Sequence, residues 1–295
     1  MLIPILDKET KALSSMKTGG IAKTIYFPEN TEELVAIITK LKDENKKYVI
    51  LGNASNVLLP DEQLDIPLIV TTKMTGVEFL NETTVFAQAG VSFTKLAFDV
   101  CKTGLSGLEF AYGIPGTVGG AVYMNAGAYG GETKDVVKSV LVLDKDGKIS
   151  DISKDDCGFD YRKSIFQNDE YVILGAVFEL CKSNADECVK QAKEFMQKRI
   201  DKQPLEYPSC GSTFKRPEGY FAGALIEEAG LKGFSIGGAQ VSEKHAGFVI
   251  NKDNATTNDV LKLMRYIREK IKEQKGVTLE EEIKLLDKNG EFFKL

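Results

Sequence analysis

Residues 113–128 read Gly113-Ile114-Pro115-Gly116-Thr117-Val118-Gly119-Gly120-Ala121 and, after Val122, Tyr123 and Met124, Asn125-Ala126-Gly127-Ala128. Five of these positions are glycine. Each glycine raises the entropy lost on folding, so this density gives nothing in stability and points to a backbone that a ligand approaches closely. A second small-residue stretch, Leu51-Gly52-Asn53-Ala54-Ser55-Asn56-Val57-Leu58, follows an apolar strand at 48–51. Successive N–H groups can converge on an anion there, and Ser55 and the two asparagines add donors. Taken alone, each stretch is also readable as a tight connection. No GxxxxGK[ST] is present, so this is not a P-loop. No GxGxxG lies between a strand and a helix, so no Rossmann site is visible. Because the first loop runs into a strand near 57–59, it does not offer the dipole of a helix.

The rest of the chain alternates helices and strands. Asn30-Thr31-Glu32-Glu33 predicts a helix start, with Asn30 as cap and Glu33 reaching back to it, and Leu34, Ile37, Ile38 and Leu41 follow at helical spacing. Ser92 caps a second helix carrying Phe93, Leu96, Ala97 and Val100, which Gly104 ends. Residues 136–143 alternate and stop at Asp144-Lys145-Asp146-Gly147, a hairpin signal, and 171–180 form another strand. An amphipathic helix covers 185–200, after which Gln203-Pro204 and Tyr207-Pro208 break regular structure. A helix near 220–229, a strand near 247–250, a helix from Asp259 and a strand at 278–286 complete an α+β chain.

A length of 295 residues, 43% hydrophobic and 27% charged, suits two domains or three small ones. The net charge of −5 argues against a nucleic-acid partner. Residues 190–216 nonetheless hold seven Lys or Arg against three acids, either a solvated helix face or a docking surface for an anion. The five cysteines are scattered and odd in number, with no CxxC pair, which predicts reduced thiols in a cytosol and no metal site. The apolar start, Leu2 to Leu6, is too short for a signal peptide, and no apolar run reaches the ~18 residues of a membrane span. A cytoplasmic protein is expected, with no membrane association.

The two loops together resemble the FAD-binding unit of vanillyl-alcohol-oxidase-type flavoproteins. Within that group, Gly52-Asn53-Ala54-Ser55-Asn56, Gly107-Leu108-Glu109-Phe110, Gly113-Ile114-Pro115-Gly116-Thr117-Val118-Gly119-Gly120 and Asn125-Ala126-Gly127-Ala128 are similar to the UDP-N-acetylenolpyruvoylglucosamine reductase family, from about Met16 to Leu286. The family often has glycine where Ala54 stands, and the small methyl is expected to be tolerated. The resemblance implies a split FAD-binding region of two lobes (about 1–74 and 75–182), a linking helix at 183–195 and an α+β substrate domain at 196–295. It implies NADPH-dependent reduction, through FAD, of UDP-N-acetylglucosamine enolpyruvate to UDP-N-acetylmuramate in bacterial peptidoglycan precursor synthesis. The interval from Ser183 to Ser212 is too short for the tyrosine-bearing loop of one branch of the family, so this is the shorter type. Since the only histidine, His245, lies far along the chain from both loops, FAD is expected to be held non-covalently. The cofactor contacts carried over are Gly52, Asn53, Ala54, Ser55, Asn56 and Val57 in the first loop, and Gly113, Ile114, Pro115, Gly116, Thr117, Gly119, Gly120, Ala121, Asn125, Gly127 and Ala128 in the second. The small-molecule partners are the UDP-sugar and NADPH, with no obligate protein partner evident.

Three further segments match the family's catalytic positions. In Tyr161-Arg162-Lys163-Ser164 the matching arginine grips the enolpyruvyl carboxylate, a task suited to a planar guanidinium with paired donors; without the resemblance, Arg162 reads as a surface charge. In Pro208-Ser209-Cys210-Gly211-Ser212 the serine is the proton donor, so Ser212 takes that role. The family pattern Leu-Glu-Pro-Glu, followed by an aliphatic and a basic residue, matches Leu279-Glu280-Glu281-Glu282-Ile283-Lys284. Glu282 is then catalytic and Lys284 an anchor for the ligand, and Glu280 is the alternative because Glu281 replaces the proline. Lys215, Arg216, Lys284 and His245 are candidates for binding the substrate. Cys210 with His245 as base, a flavin oxidase acting on another sugar or lactone, and a flavin-free sugar-nucleotide binding protein are the competing readings. Arg162, Ser212 and Glu282 occurring together favour the reductase.

Overall fold

The computed structural model describes residues 3–295; Met1 and Leu2, the latter the first of the apolar stretch at 2–6, lie outside the described residues. Its contacts divide the described residues into two units, one of 3–4, 26–53 and 68–199, the other of 5–25, 54–67 and 200–295.

In the first unit a five-stranded antiparallel sheet runs in the order Ile149–Ser153, Val137–Asp144, Tyr171–Glu179, Thr84–Gln88, Val77–Phe79. Alternation divides the central strands between two faces. Val140, Val142, Ala176 and Phe178 pack with Phe93, Leu96 and Val100 of the helix Phe93–Lys102. Leu143 and Leu174 meet Leu34, Ile37, Ile38 and Leu41 of the helix Thr31–Asp43. Both helices have the predicted caps: Asn30 accepts from the Glu33 N–H and Ser92 from the Lys95 N–H. The Glu33 carboxylate reaches one residue further than expected, to the N–H of Glu29. A short parallel pair, Val49–Leu51 with Leu68–Val70, leads out of the unit.

The second unit is built on the helix Thr257–Lys275, with a Thr256–Asp259 capping box and a left-handed Gly276 at its end. Val260, Leu263, Met264, Ile267 and Ile271 form its buried face, joined by Met16, Leu58, Leu225, Ile226, Val241, Ile283 and Leu285. Two three-stranded sheets flank this core. One orders Ser235–Ile236, Ala239–Val241 and Val249–Asn251; the other orders Phe292–Phe293, Lys284–Leu286 and Val57–Leu58.

Three features of the two units are not marked by local sequence patterns. Residues 5–25 and 54–67 group with the second unit by their contacts. The cause is a non-local pairing: Val57–Leu58 lies parallel to Lys284–Leu286, and Met16 and Leu58 are fully buried in the second core. The unit boundary after Arg199 falls inside the helix Ala185–Lys202. The glycine-rich segment is not all loop, because Val118–Met124 is helical, with Thr117 as its cap.

Candidate active site

In the first unit, the two predicted ligand loops lie against each other. The side chain of Asn53 donates to the Pro115 carbonyl at 2.7 Å. A Cβ built on Gly52 would stand 2.3 Å from Thr117 Oγ1, so only glycine permits this approach. The Thr117 hydroxyl accepts the Gly120 N–H at 3.3 Å and opens the helix Val118–Met124. Gly120 itself is exposed, and a Cβ there would meet only Thr117 Oγ1, at 3.6 Å. A bare backbone between two small-residue loops and beside a capped helix start fits the phosphates of a dinucleotide. The backbone of 52–53 and 113–121 in this unit therefore fits FAD.

Asn125 also has structural partners. It is fully buried in the left-handed conformation that ends the helix Val118–Met124. Its amide donates to the Asp160 carbonyl at 3.0 Å, and its oxygen accepts the Lys134 N–H at 2.9 Å. Asn125 thus supports the turn carrying Arg162, in which Asp160 and Lys163 exchange backbone hydrogen bonds at 3.1 and 3.0 Å. Arg162 has φ +55, a costly conformation for a long side chain. Its guanidinium donates to the Gly127 carbonyl at 3.3 Å, which aims it along the 127–128 segment.

The other candidates lie in the second unit. Ala54, buried there, has φ +42, a region that favours glycine and so accounts for the family's usual residue. Cys210 is buried, and its thiol donates to the Val57 carbonyl at 3.5 Å. Burial pushes that thiol up to about 12, which excludes it as a nucleophile near neutral pH. Gly211 turns the chain at φ +75, and Thr213 is then held by the Gly247 carbonyl and the Val249 N–H, both at 2.9 Å. Ser212, half-buried, sits between these anchors.

The predicted last strand is interrupted at Glu282. Before it, Lys215 N–H donates to Glu280 O at 2.8 Å and Glu282 N–H to Thr213 O at 3.0 Å. Beyond it, Lys284 and Leu285 pair with Val57 and Leu58. The ladder brackets the Phe214–Glu281 pair without using the Glu281 N–H, so this position accepts the family's proline and Glu281 leaves the register unchanged. Glu281 has found another partner: its carboxylate, 8% exposed, pairs with Arg268 at 2.7 Å and accepts the Leu295 N–H at 3.2 Å. Glu280, the alternative to Glu282, is exposed and pairs with Lys215 at 3.4 Å.

Lys284 is half-buried, and burial together with Lys215 and Lys294 holds its ammonium below the ordinary lysine range. That concentration of positive charge suits an anion; Lys294 was not singled out by sequence, since nothing local marks it. Arg216 is exposed and lies 4.2 Å from the ring centroid of Phe221. His245 Nδ1 accepts the Gly247 N–H at 3.1 Å, and burial lowers its basicity. A ligand would meet this imidazole as a neutral donor through Nε2.

Comparisons with known proteins match two families along the chain. The family described as FAD binding domain matches residues 22–153, and that described as UDP-N-acetylenolpyruvoylglucosamine reductase, C-terminal domain, matches 203–286. The crystal structure of UDP-N-acetylenolpyruvylglucosamine reductase from Thermus caldophilus aligns with a TM-score of 0.80 and 31% identity, covering 97% of this chain and 98% of that one. Among curated relatives, the UDP-N-acetylenolpyruvoylglucosamine reductase of Caldanaerobacter subterraneus subsp. tengcongensis is 46% identical over 95% of this chain and 93% of its own length. That of Enterococcus faecalis is 44% identical over 96% and 94%. Fold and matches define an α+β FAD-dependent oxidoreductase with a distinct C-terminal domain. Within that class, the chain belongs to the UDP-N-acetylenolpyruvoylglucosamine reductase family. Among the described residues no helix is long and apolar enough to cross a membrane.

Proposed function

We propose that the chain reduces UDP-N-acetylglucosamine enolpyruvate to UDP-N-acetylmuramate with NADPH, that it holds FAD non-covalently, and that Arg162, Ser212 and Glu282 carry the chemistry. The chemistry that bound FAD supplies is hydride transfer, accepted from NADPH and delivered to C3 of the enolpyruvyl ether. Arg162 binds the substrate carboxylate with a planar pair of donors. Negative charge develops at C2 and on that carboxylate, and Arg162 with Glu282 steadies it. The Ser212 hydroxyl gives its proton to C2, which completes the reduction, and recovers one from solvent. Lys215, Arg216 and Lys284 attract the diphosphate or the carboxylate, and His245 donates to the nucleotide through Nε2. The first unit serves the cofactor and supplies Arg162, and residues 196–295 serve the rest of the substrate. The chain works in the cytoplasm, where its free cysteines stay reduced, and it needs no obligate protein partner.

The observation that carries this reading is the placing of 280–282 beside 213–215 and of 284–285 beside 57–58. Three segments distant in sequence, each matching a functional motif of the family, meet there. Anaerobic stopped-flow tests it in two halves: NADPH should bleach the flavin, and the enolpyruvyl substrate should restore its colour in a second mixing. Restoration by oxygen alone would replace the reductase with an oxidase, and colourless protein that takes up no FAD would leave only a binding protein.

A further inference from the structure

Asn56 stands in the first small-residue loop, where residue type alone marks it as a cofactor contact. Its side chain is engaged elsewhere. Nδ2 donates to the carbonyl oxygen of Glu282 at 3.1 Å, and the Asn56 carbonyl accepts the Lys284 N–H at 2.9 Å. One residue thereby holds both peptide groups that flank Ile283.

Those bonds fall where regular pairing fails. The antiparallel ladder with 213–215 ends at the Glu282 N–H, and the parallel pairing with Val57–Leu58 begins at Lys284. Residues 282 and 283 form a bend that belongs to neither strand. Ile283 is buried on the second core, which fixes one side of the bend. The peptide plane joining Glu282 to Ile283 governs where the Cα–Cβ bond of Glu282 points, and the Asn56 amide fixes that plane. The Glu282 carbonyl takes one of the two Nδ2 hydrogens, and the other end of the carboxamide, Oδ1, is an acceptor with no attraction for a phosphate oxygen.

We infer that Asn56 is a positioning residue for Glu282, acting through that carboxyl and not through the cofactor. The inference rests on the catalytic reading of Glu282 given above. It identifies one asparagine of the small-residue loop as part of the machinery for the substrate half of the reaction.

The test is a double-mutant cycle on the FAD-loaded enzyme. N56A, E282Q and N56A/E282Q are compared for FAD affinity, by fluorescence titration of the apoprotein, and for anaerobic reoxidation of the reduced enzyme by the enolpyruvyl substrate across pH. N56A should keep its FAD affinity and its rate of reduction by NADPH. Its reoxidation should slow by about 10²-fold, the usual cost of a catalytic group displaced by ~1 Å, with a changed pH profile. In the E282Q background, where the carboxyl to be positioned is gone, N56A should cost no more than about twofold. Should N56A fail to fold, N56D keeps the volume, loses the donor and enters the same cycle. Independent, multiplying effects of the two substitutions overturn the inference. So does weakened FAD binding with normal reoxidation at saturating FAD. An E282Q enzyme that reoxidises at the wild-type rate instead overturns the role given to Glu282, and the inference with it; impaired E282Q beside normal N56A overturns the inference alone.

Discussion

Gly52 and Thr117 approach so closely that a methyl group on Gly52 would lie 2.3 Å from the threonine hydroxyl oxygen. That hydroxyl is also the cap of the helix Val118–Met124, so a side chain at 52 must either displace the cap or push the two loops apart. Gly52→Ala should therefore cost about 1–3 kcal/mol through overpacking and weaken FAD as well. Thermal unfolding followed by flavin fluorescence reads both; an unchanged melting temperature with unchanged affinity would mean that the loops separate freely.

Two residues on, the backbone makes the opposite prediction. Ala54 has φ +42, where a Cβ is unfavourable. Ala54→Gly should be neutral or stabilising by up to about 1 kcal/mol, while the β-branched Ala54→Val should destabilise. Chemical denaturation of the two variants checks the order, and a less stable glycine variant contradicts the strain.

Local signals made part of this fold legible. Asn30 and Ser92 mark helix starts because each cap acts within one turn, and Asp144-Lys145-Asp146-Gly147 marks a hairpin whose strands then pair from Leu143 with Ile149. The helix Val118–Met124 was hidden because glycine is a poor helix former. Its turn is secured instead by the Thr117 cap and by the Gly119 N–H donating to the Ala89 carbonyl at 2.8 Å. Likewise, no periodicity in 54–67 reveals that Val57–Leu58 pairs with Lys284–Leu286 more than two hundred residues later. Among the site residues, motif matching located the segments but not the partners that hold them, since those partners are distant in sequence. Asn125, committed to Asp160 and Lys134, is the plainest case.

The Arg268–Glu281 pair lies between the surface and buried extremes, with side chains 26% and 8% exposed. Arg268 also donates to the Leu295 carbonyl. Glu281→Pro restores the family's residue without removing a ladder hydrogen bond, yet leaves Arg268 without this carboxylate. A loss on the order of 2 kcal/mol is expected, midway between exposed and buried pairs. The double substitution R268M/E281M should recover much of it, and calorimetry of the three proteins reads the recovery. Equal stability of Glu281→Pro and the parent would make the pair energetically idle.

Arg162 offers a sharper test of carboxylate recognition, because Arg162→Lys keeps the charge and loses the paired donors. Charge-assisted bonds of this kind contribute roughly 1.5–3 kcal/mol. Reoxidation of the reduced enzyme by the enolpyruvyl substrate should slow accordingly, while reduction by NADPH stays near the parent rate. Normal reoxidation in the lysine variant removes Arg162 from the site.

Ser212 is the least obvious of the proposed catalytic groups, because a serine hydroxyl is a very weak acid. Its acceptor, however, is a carbon that becomes strongly basic once hydride has reached C3, so the transfer runs downhill. A positioned acid contributes typically about 10²–10⁴-fold, and Ser212→Ala should slow reoxidation by at least that range. The flavin spectrum and the NADPH half-reaction should persist, since neither needs a proton at C2. Cys210→Ala provides the contrast: its thiol is buried, protonated and bonded to the Val57 carbonyl. Removing it should lower stability and leave the chemical step largely intact. A Ser212→Ala enzyme that reoxidises at the parent rate would withdraw the proton from this hydroxyl. Loss of FAD in that variant would instead make Ser212 a structural support, and solvent-isotope effects on the Ser212→Cys enzyme would then decide whether position 212 delivers a proton at all.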